Sequence, residues 1–215
     1  MSELAKSFLR RYYPTVLYRR PYSMLEPERL YVYLDALWQR REVPGVVLEV
    51  GCWLGGTSAI AARMIRQAGF PRRYIAVDTF SGFVQSQLDN DLRHGTPTGH
   101  SRYFRKNSVA TVRQLLNAWG AAEVELVQGD IATMPDLSLP DQVAICLLDV
   151  DLEIPVYEGL RRIVPRLAPG GVFLVDDCDE DTTWAGARAG YSRFVSDTGC
   201  TEDYFLGMGR VFAPA

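Results

Sequence analysis

The 215-residue chain predicts an α/β fold, a doubly wound and mostly parallel sheet of the Rossmann-like kind. Three observations carry that prediction. Apolar runs of strand length alternate with amphipathic segments through most of the chain. The first such run leads straight into a glycine turn, Val50-Gly51-Cys52-Trp53-Leu54-Gly55-Gly56. Two later runs, Ala144–Leu148 and Val172–Val175, each end on carboxylates: Asp149 after the first, Asp176 and Asp177 after the second. An amphipathic helix and Pro169-Gly170-Gly171 join those two runs into a β-α-β unit, so their carboxyl ends point the same way.

Residues 1–42 read as a helical cap ahead of the sheet. Pro27 suits a first helical turn, and Leu30, Leu34, Leu37 and Trp38 make an apolar stripe at helical spacing. Pro44-Gly45 ends that helix, and residues 43–215 form the main domain. Val46–Val50 is the first strand. Thr57–Gln67 is a helix with Ile60, Met64 and Ile65 inward and Gly69 closing it. Tyr74–Val77 is the second strand, ending on Asp78. Residues 79–106 break the alternation and hold both histidines, His94 and His100; a stretch this long reads as a lid-like insertion. Asn107 then caps a helix carrying Val112, Leu115, Leu116 and Trp119. Val124–Val127 is the third strand. A helix at Gly186–Ser196 and a closing strand pair around Gly207-Met208-Gly209 complete the chain.

Composition narrows the function classes. A net charge of −3 and a pI near 5.5 argue against a nucleic-acid surface. The four cysteines show no CxxC spacing, so a zinc site is disfavoured; they read as reduced thiols of a cytoplasmic protein. No apolar run is long enough to span a membrane. A homodimer is compatible with the sequence, which does not fix the oligomeric state.

The glycine spacing after the first strand is G-x-x-x-G-G, neither the dinucleotide fingerprint nor a Walker A loop. Glu49, which leads into this turn, suits a ligand with an amino group, such as the methionine part of S-adenosylmethionine (SAM). Trp53 and Thr57 are further candidate contacts. Glycine spacing alone does not separate this reading from a plain strand-to-helix turn. Asp78 can accept hydrogen bonds from the ribose hydroxyls of a nucleoside, with Thr79 beside it. Asp130 follows the third strand and could accept from an adenine amine, or serve equally as a turn residue.

Asp149, Asp176 and Asp177 each follow a buried strand and converge at one sheet edge. Like charges held that close favour a bound cation, and oxygen-only ligands favour a hard ion such as Mg²⁺. Asp151 lies nearby; Asp179–Asp181 read as solvated. His100 is the candidate general base, although a lone loop histidine is more often a bystander. Trp184 and Arg188 could contact a substrate, and Trp184 could equally pack.

EVGCWLGGTS, DTFSGF and the D-V-D-L…APGGVFLVDDC segment resemble the SAM-dependent macrocin O-methyltransferase family, over roughly residues 43–195. The resemblance implies a Mg²⁺-using enzyme that methylates sugar hydroxyls of antibiotics. It implies Asp149, Asp176 and Asp177 as metal ligands, with Asp149 and Asp176 separated by 27 positions as in the family. Gly51, Gly55 and Asp78 are the SAM contacts it implies. The chain departs from the family at Glu153-Ile154-Pro155-Val156, where a Tyr-Glu-Ser-Thr run is usual, and at Cys178 in place of tyrosine. The expected activity is metal-assisted O-methylation of a small-molecule hydroxyl in a vicinal diol. A catechol-type phenol methyltransferase and a non-catalytic SAM-binding module are the alternatives.

Overall fold

The alternating runs assemble into seven strands in the order β3-β2-β1-β4-β5-β7-β6. The computed structural model describes residues 3–93, 96, 104–180 and 184–213. Strands β1 (Val46–Val50), β2 (Tyr74–Asp78), β3 (Glu125–Gln128), β4 (Val143–Leu148) and β5 (Leu167–Val175) are parallel. β6 (Glu202–Phe205) and β7 (Met208–Phe212) form a hairpin whose second strand runs antiparallel to β5. Its two-residue turn, Leu206-Gly207, has both φ values positive, the twist a tight hairpin needs.

Side chains alternate across the sheet with period two, so each strand feeds two cores. Tyr74, Ala76, Leu147 and Leu174 face one side, where α3 (Pro27–Gln39), α4 (Gly56–Gln67) and α6 (Val109–Ala118) pack. Ile75, Val77, Leu148 and Val175 face the other, against α7 (Glu153–Ile163) and α8 (Ala185–Thr198). Two short helices, α1 (Glu3–Tyr12) and α2 (Pro14–Leu17), precede α3. Among the described residues no helix is long and apolar enough to cross a membrane.

Local details differ from the sequence expectation. The insertion after β2 contains a regular helix, α5 (Gln85–Arg93), with Leu88 buried. Pro169-Gly170-Gly171 is not a turn before β5 but lies within it, opposite a register shift at Val143/Ile145. A Cβ on Gly171 would meet backbone oxygens of Ala168 and Ala144 at 2.8 and 3.0 Å, which explains the glycine. Ser108, not Asn107, caps α6 by accepting from the Thr111 N–H; Asn107 instead donates to the Trp53 carbonyl. In α3 the buried face is Val32, Tyr33, Ala36 and Leu37, and Trp38 is exposed against Phe70 and Arg41.

Candidate active site

Strand order reverses direction between β1 and β4, and a crevice opens at their carboxyl ends, where open α/β sheets take ligands. The ladder continues past both strands: Asp149 N donates to Val50 O, and Asp176 N to Leu148 O. Those bonds seat Asp149 and Asp176 side by side at the edge. Gly51 turns away at φ +88°, and a Cβ there would lie 1.8 Å from the Asp149 carbonyl oxygen. Only glycine lets the turn after β1 and the turn after β4 come this close.

The resulting cavity holds about 420 Å³. Gly51, Trp53, Asp78, Thr79, Gly129 and Asp130 form one wall. Asp149, Asp151, Asp176, Asp177 and Arg29 form the other, and Phe83, Phe104 and Trp184 also line it. Phe83 touches both Phe104 and Trp184 with ring centroids 5.4 Å apart.

Asp78 is the organiser of the first wall. One of its oxygens accepts from the N–H groups of Cys52 and Trp53, both at 2.9 Å, and the other from Phe80 N at 2.7 Å. Burial raises its pKa and these three donors oppose the rise. A carboxylate oxygen accepts more than one bond, so acceptor capacity is left facing the cavity. Asp130 accepts from Ala132 N and from the side chains of Thr133 and Gln87, holding a tight turn after β3 that also borders the cavity.

Three sequence candidates lie elsewhere. Glu49 is buried behind the turn, accepting from Ser58 and Tyr74 hydroxyls at 2.5 Å each; burial, against these bonds, pushes it up to about 7. Its position on β1 explains this, since period-two alternation turns residue 49 toward the α3–α4 side. Thr57 shares a 2.7 Å hydrogen bond with Ser23, and Gly55 caps α4 at φ +77° against Val112 and Leu116. None of the three lines the cavity. His94 and His100 lie outside the described residues.

The carboxylate wall differs in composition from the expected trio. Oxygens of Asp149, Asp151 and Asp177 lie within 4.8 Å of one another. Asp176 instead accepts from Arg29 Nη1 at 3.1 Å, and the same nitrogen donates to Asp177 at 2.6 Å. Arg29 Nη2 reaches Asp179 at 3.0 Å. Burial, then Asp176, Asp151 and Asp177, holds Asp149 well above the usual carboxylate range. Asp151 is raised in the same way, by burial and then Asp177 and Asp176. Burial and Asp177 push Asp176 up to about 7, with Arg29 opposing. Crowded, desolvated, oxygen-only groups at these separations fit a hard divalent cation. Asp151 reaches the cluster because its backbone adopts φ +63°, as Asp177 does at +55°. Such conformations are costly for non-glycine residues and concentrate at functional sites.

The chain is similar to known proteins. The family model for macrocin O-methyltransferases (TylF) matches residues 15–205. The mycinamicin III 3''-O-methyltransferase of Micromonospora griseorubida is 29% identical over 145 residues, covering 64% of this chain and 57% of the relative. An 8-demethyl-8-(2,3-dimethoxy-alpha-L-rhamnosyl)-tetracenomycin-C 4'-O-methyltransferase of Streptomyces olivaceus is 28% identical over 143 residues, 63% of this chain and 53% of the relative. The chain thus spans little more than half the length of these curated relatives. In fold it is similar to the O-methyltransferase NovP, with a TM-score of 0.71 at 17% identity, covering 90% of this chain and 82% of that one. The calicheamicin methyltransferase CalS11 gives 0.69 at 20% identity, covering 99% and 93%.

Proposed function

The chain belongs to the macrocin O-methyltransferase family, and from that premise we propose that it transfers a methyl group from SAM to a hydroxyl of a small molecule, a sugar of a natural product, with a divalent cation assisting. The observation that carries this reading is the contact of Gly51 with Asp149, which joins a nucleoside-type wall and a carboxylate cluster in one cavity. When bound, SAM supplies an electrophilic methyl on a sulfonium, and the cation supplies Lewis acidity toward the acceptor oxygen.

The protein's own part is placement. The glycine turn admits the methionine end, Asp78 accepts from the ribose hydroxyls, and Gly129–Asp130 border the adenine. Asp149 and Asp177 would hold the cation; the sequence points to Asp176 as the third oxygen donor, and the geometry to Asp151. Whichever of that pair stays off the ion is the group to accept the acceptor's proton, since both are held above the usual carboxylate range. Met24, Glu26 and Arg29, ahead of the sheet, and Phe83 and Phe104, after β2, line the cavity and support a covering role for the segments that carry them. Excluding water there protects the sulfonium and strengthens every charge interaction.

Calorimetry with S-adenosylhomocysteine, followed by transfer of labelled methyl from SAM to natural-product glycosides with and without EDTA, tests the reading. Binding, and transfer that Mg²⁺ restores after EDTA, is expected. No binding of S-adenosylhomocysteine overturns it. Asp151→Asn and Asp176→Asn should separate: one loses Mg²⁺ affinity, the other turnover at unchanged Mg²⁺ affinity. The aromatic side chains in the lining fit a flat phenol as well as a sugar face, so catechol belongs in the same panel.

A further inference from the structure

Behind the cavity, helix α5 carries a carboxylate, Asp91, that is 2% exposed and does not line it. Two helices begin beside Asp91. α7 starts after Leu152 and α8 after Trp184, and neither of those residues supplies a side-chain cap. A helix start leaves backbone N–H groups without intrahelical partners and carries partial positive charge, which an oxygen at the N-cap normally satisfies. Here the oxygen comes from a distant part of the chain. Glu153 N, the first of α7, donates to Asp91 Oδ2 at 3.1 Å. The neighbouring Asn90 donates to the Glu153 side chain at 3.3 Å. From the other side α8 closes on the same carboxylate: a Cβ on Gly186 would lie 1.8 Å from Asp91 Oδ2 and 2.7 Å from Glu153 N. Glycine at 186 is what lets the two helix starts meet on one carboxylate.

Glu153 and Gly186 each lie two positions past a residue of the cavity lining, Asp151 and Trp184. Asp151 stands in the carboxylate cluster at φ +63°, a conformation that persists where the surroundings fix it. One turn earlier on α5, Gln87 lines the cavity and donates to Asp130 at 2.9 Å. α5 is thus joined to the Asp130 side of the cavity by Gln87 and to the end of the Asp149–Leu152 loop by Asp91.

We propose that Asp91 is a positioning residue for the cation: it caps α7 from α5, against the start of α8, and so holds Asp151 among the cation's ligands. The assignment rests on the cation-assisted reading of the cavity and extends it to a residue outside the cavity. Groups that orient metal ligands without touching the metal change its affinity by about 10–100-fold when removed.

The test is calorimetry of Mg²⁺ binding to the full chain saturated with S-adenosylhomocysteine at pH 7, beside the binding of S-adenosylhomocysteine itself. Asp91→Ala should weaken Mg²⁺ by about tenfold or more and leave S-adenosylhomocysteine within about threefold of wild type. Asp91→Asn keeps an acceptor oxygen, and asparagine caps helices as well as aspartate does, so its Mg²⁺ affinity should stay within about threefold of wild type. Gly186→Ala keeps the carboxylate and drives a methyl against it; it should show the same split as Asp91→Ala, and it decides the matter if Asp91→Ala does not fold. Unchanged Mg²⁺ affinity in Asp91→Ala or in Gly186→Ala overturns the proposal. So does an Asp91→Asn variant as weak as Asp91→Ala, or an equal loss of both ligands, which would mean a general loosening around α5. If the wild type binds S-adenosylhomocysteine but no Mg²⁺, the cation part of the functional reading fails and this assignment falls with it. If it binds neither, the methyl-transfer reading itself fails.

Discussion

Asp149→Asn should make the metal-free protein more stable while removing its response to Mg²⁺. Oxygens of Asp149 lie within 4.8 Å of oxygens of Asp151 and Asp177. At an effective dielectric of about 20, two unit charges at that distance repel by about 3 kcal/mol. The cluster relieves this by holding protons. Asp149, Asp151 and Asp176 are all raised above their unfolded values, so the native state binds protons that the unfolded chain has released. Stability of the metal-free protein therefore falls as pH climbs from about 4 through the folded values, which for Asp176 is about 7. For Asp176 alone that rise corresponds to about 4 kcal/mol. Asp149→Asn removes the need to hold one of those protons, and a gain of about 2–4 kcal/mol at pH 7.5 follows, shrinking toward zero near pH 4. For a chain of this length that is about 5–10 °C in Tm. Wild type with Mg²⁺ at a hundred times its Kd should gain about 2.7 kcal/mol, and the variant little. Thermal denaturation in EDTA and in Mg²⁺, at two pH values, reads both effects. A variant that melts lower than wild type in EDTA at pH 7.5, yet keeps the full Mg²⁺ shift, would refute the reasoning.

Two further outcomes follow from the same wall. Gly51→Ala places a Cβ 1.8 Å from the Asp149 carbonyl at φ +88°, so β1 and β4 must part at their ends; S-adenosylhomocysteine affinity should fall by at least about tenfold, with stability reduced by more than about 2 kcal/mol, and wild-type affinity by calorimetry contradicts this. Arg29→Met leaves Asp176 and Asp177 without their guanidinium; the EDTA-treated protein should lose about 3 kcal/mol at pH 7.5 and less at pH 5, with Mg²⁺ restoring more of it than it adds to wild type, as read from Tm.

Much of the site was legible because strand ends are written locally. An apolar run followed by Asp149, or by Asp176 and Asp177, announces a carboxylate at the sheet edge, and Gly51 announces a close approach. The parts that were not legible depend on distance or on backbone torsion. Arg29 meets Asp176 from 147 positions away, and no periodicity in residues 1–42 marks it out from the other arginines there. Asp151 enters the cluster through a positive φ, which no sequence pattern marks even though aspartate tolerates that region better than most residues. Glu49 shows the reverse error. Its neighbourhood to the glycine turn suggested a ligand contact, and strand alternation turned it inward to Tyr74. Pro169-Gly170-Gly171 has turn chemistry, yet a register shift let β5 run through it.

The Arg29 clamp also dictates an order of assembly. Its carboxylate partners end β5, and the Tyr22 carbonyl packs on Gly56 so closely that a Cβ there would lie 1.7 Å away. Tyr22 and Arg29 leave the ribosome before any of these partners does. The side chains that the fold covers in this region, Leu25, Tyr33 and Leu37, stay exposed until the sheet they pack on has formed. Long-range closure of this kind is slow. A segment that precedes the sheet in the chain is thus fixed after it, and during that interval its apolar side chains are the surface that a chaperone would meet.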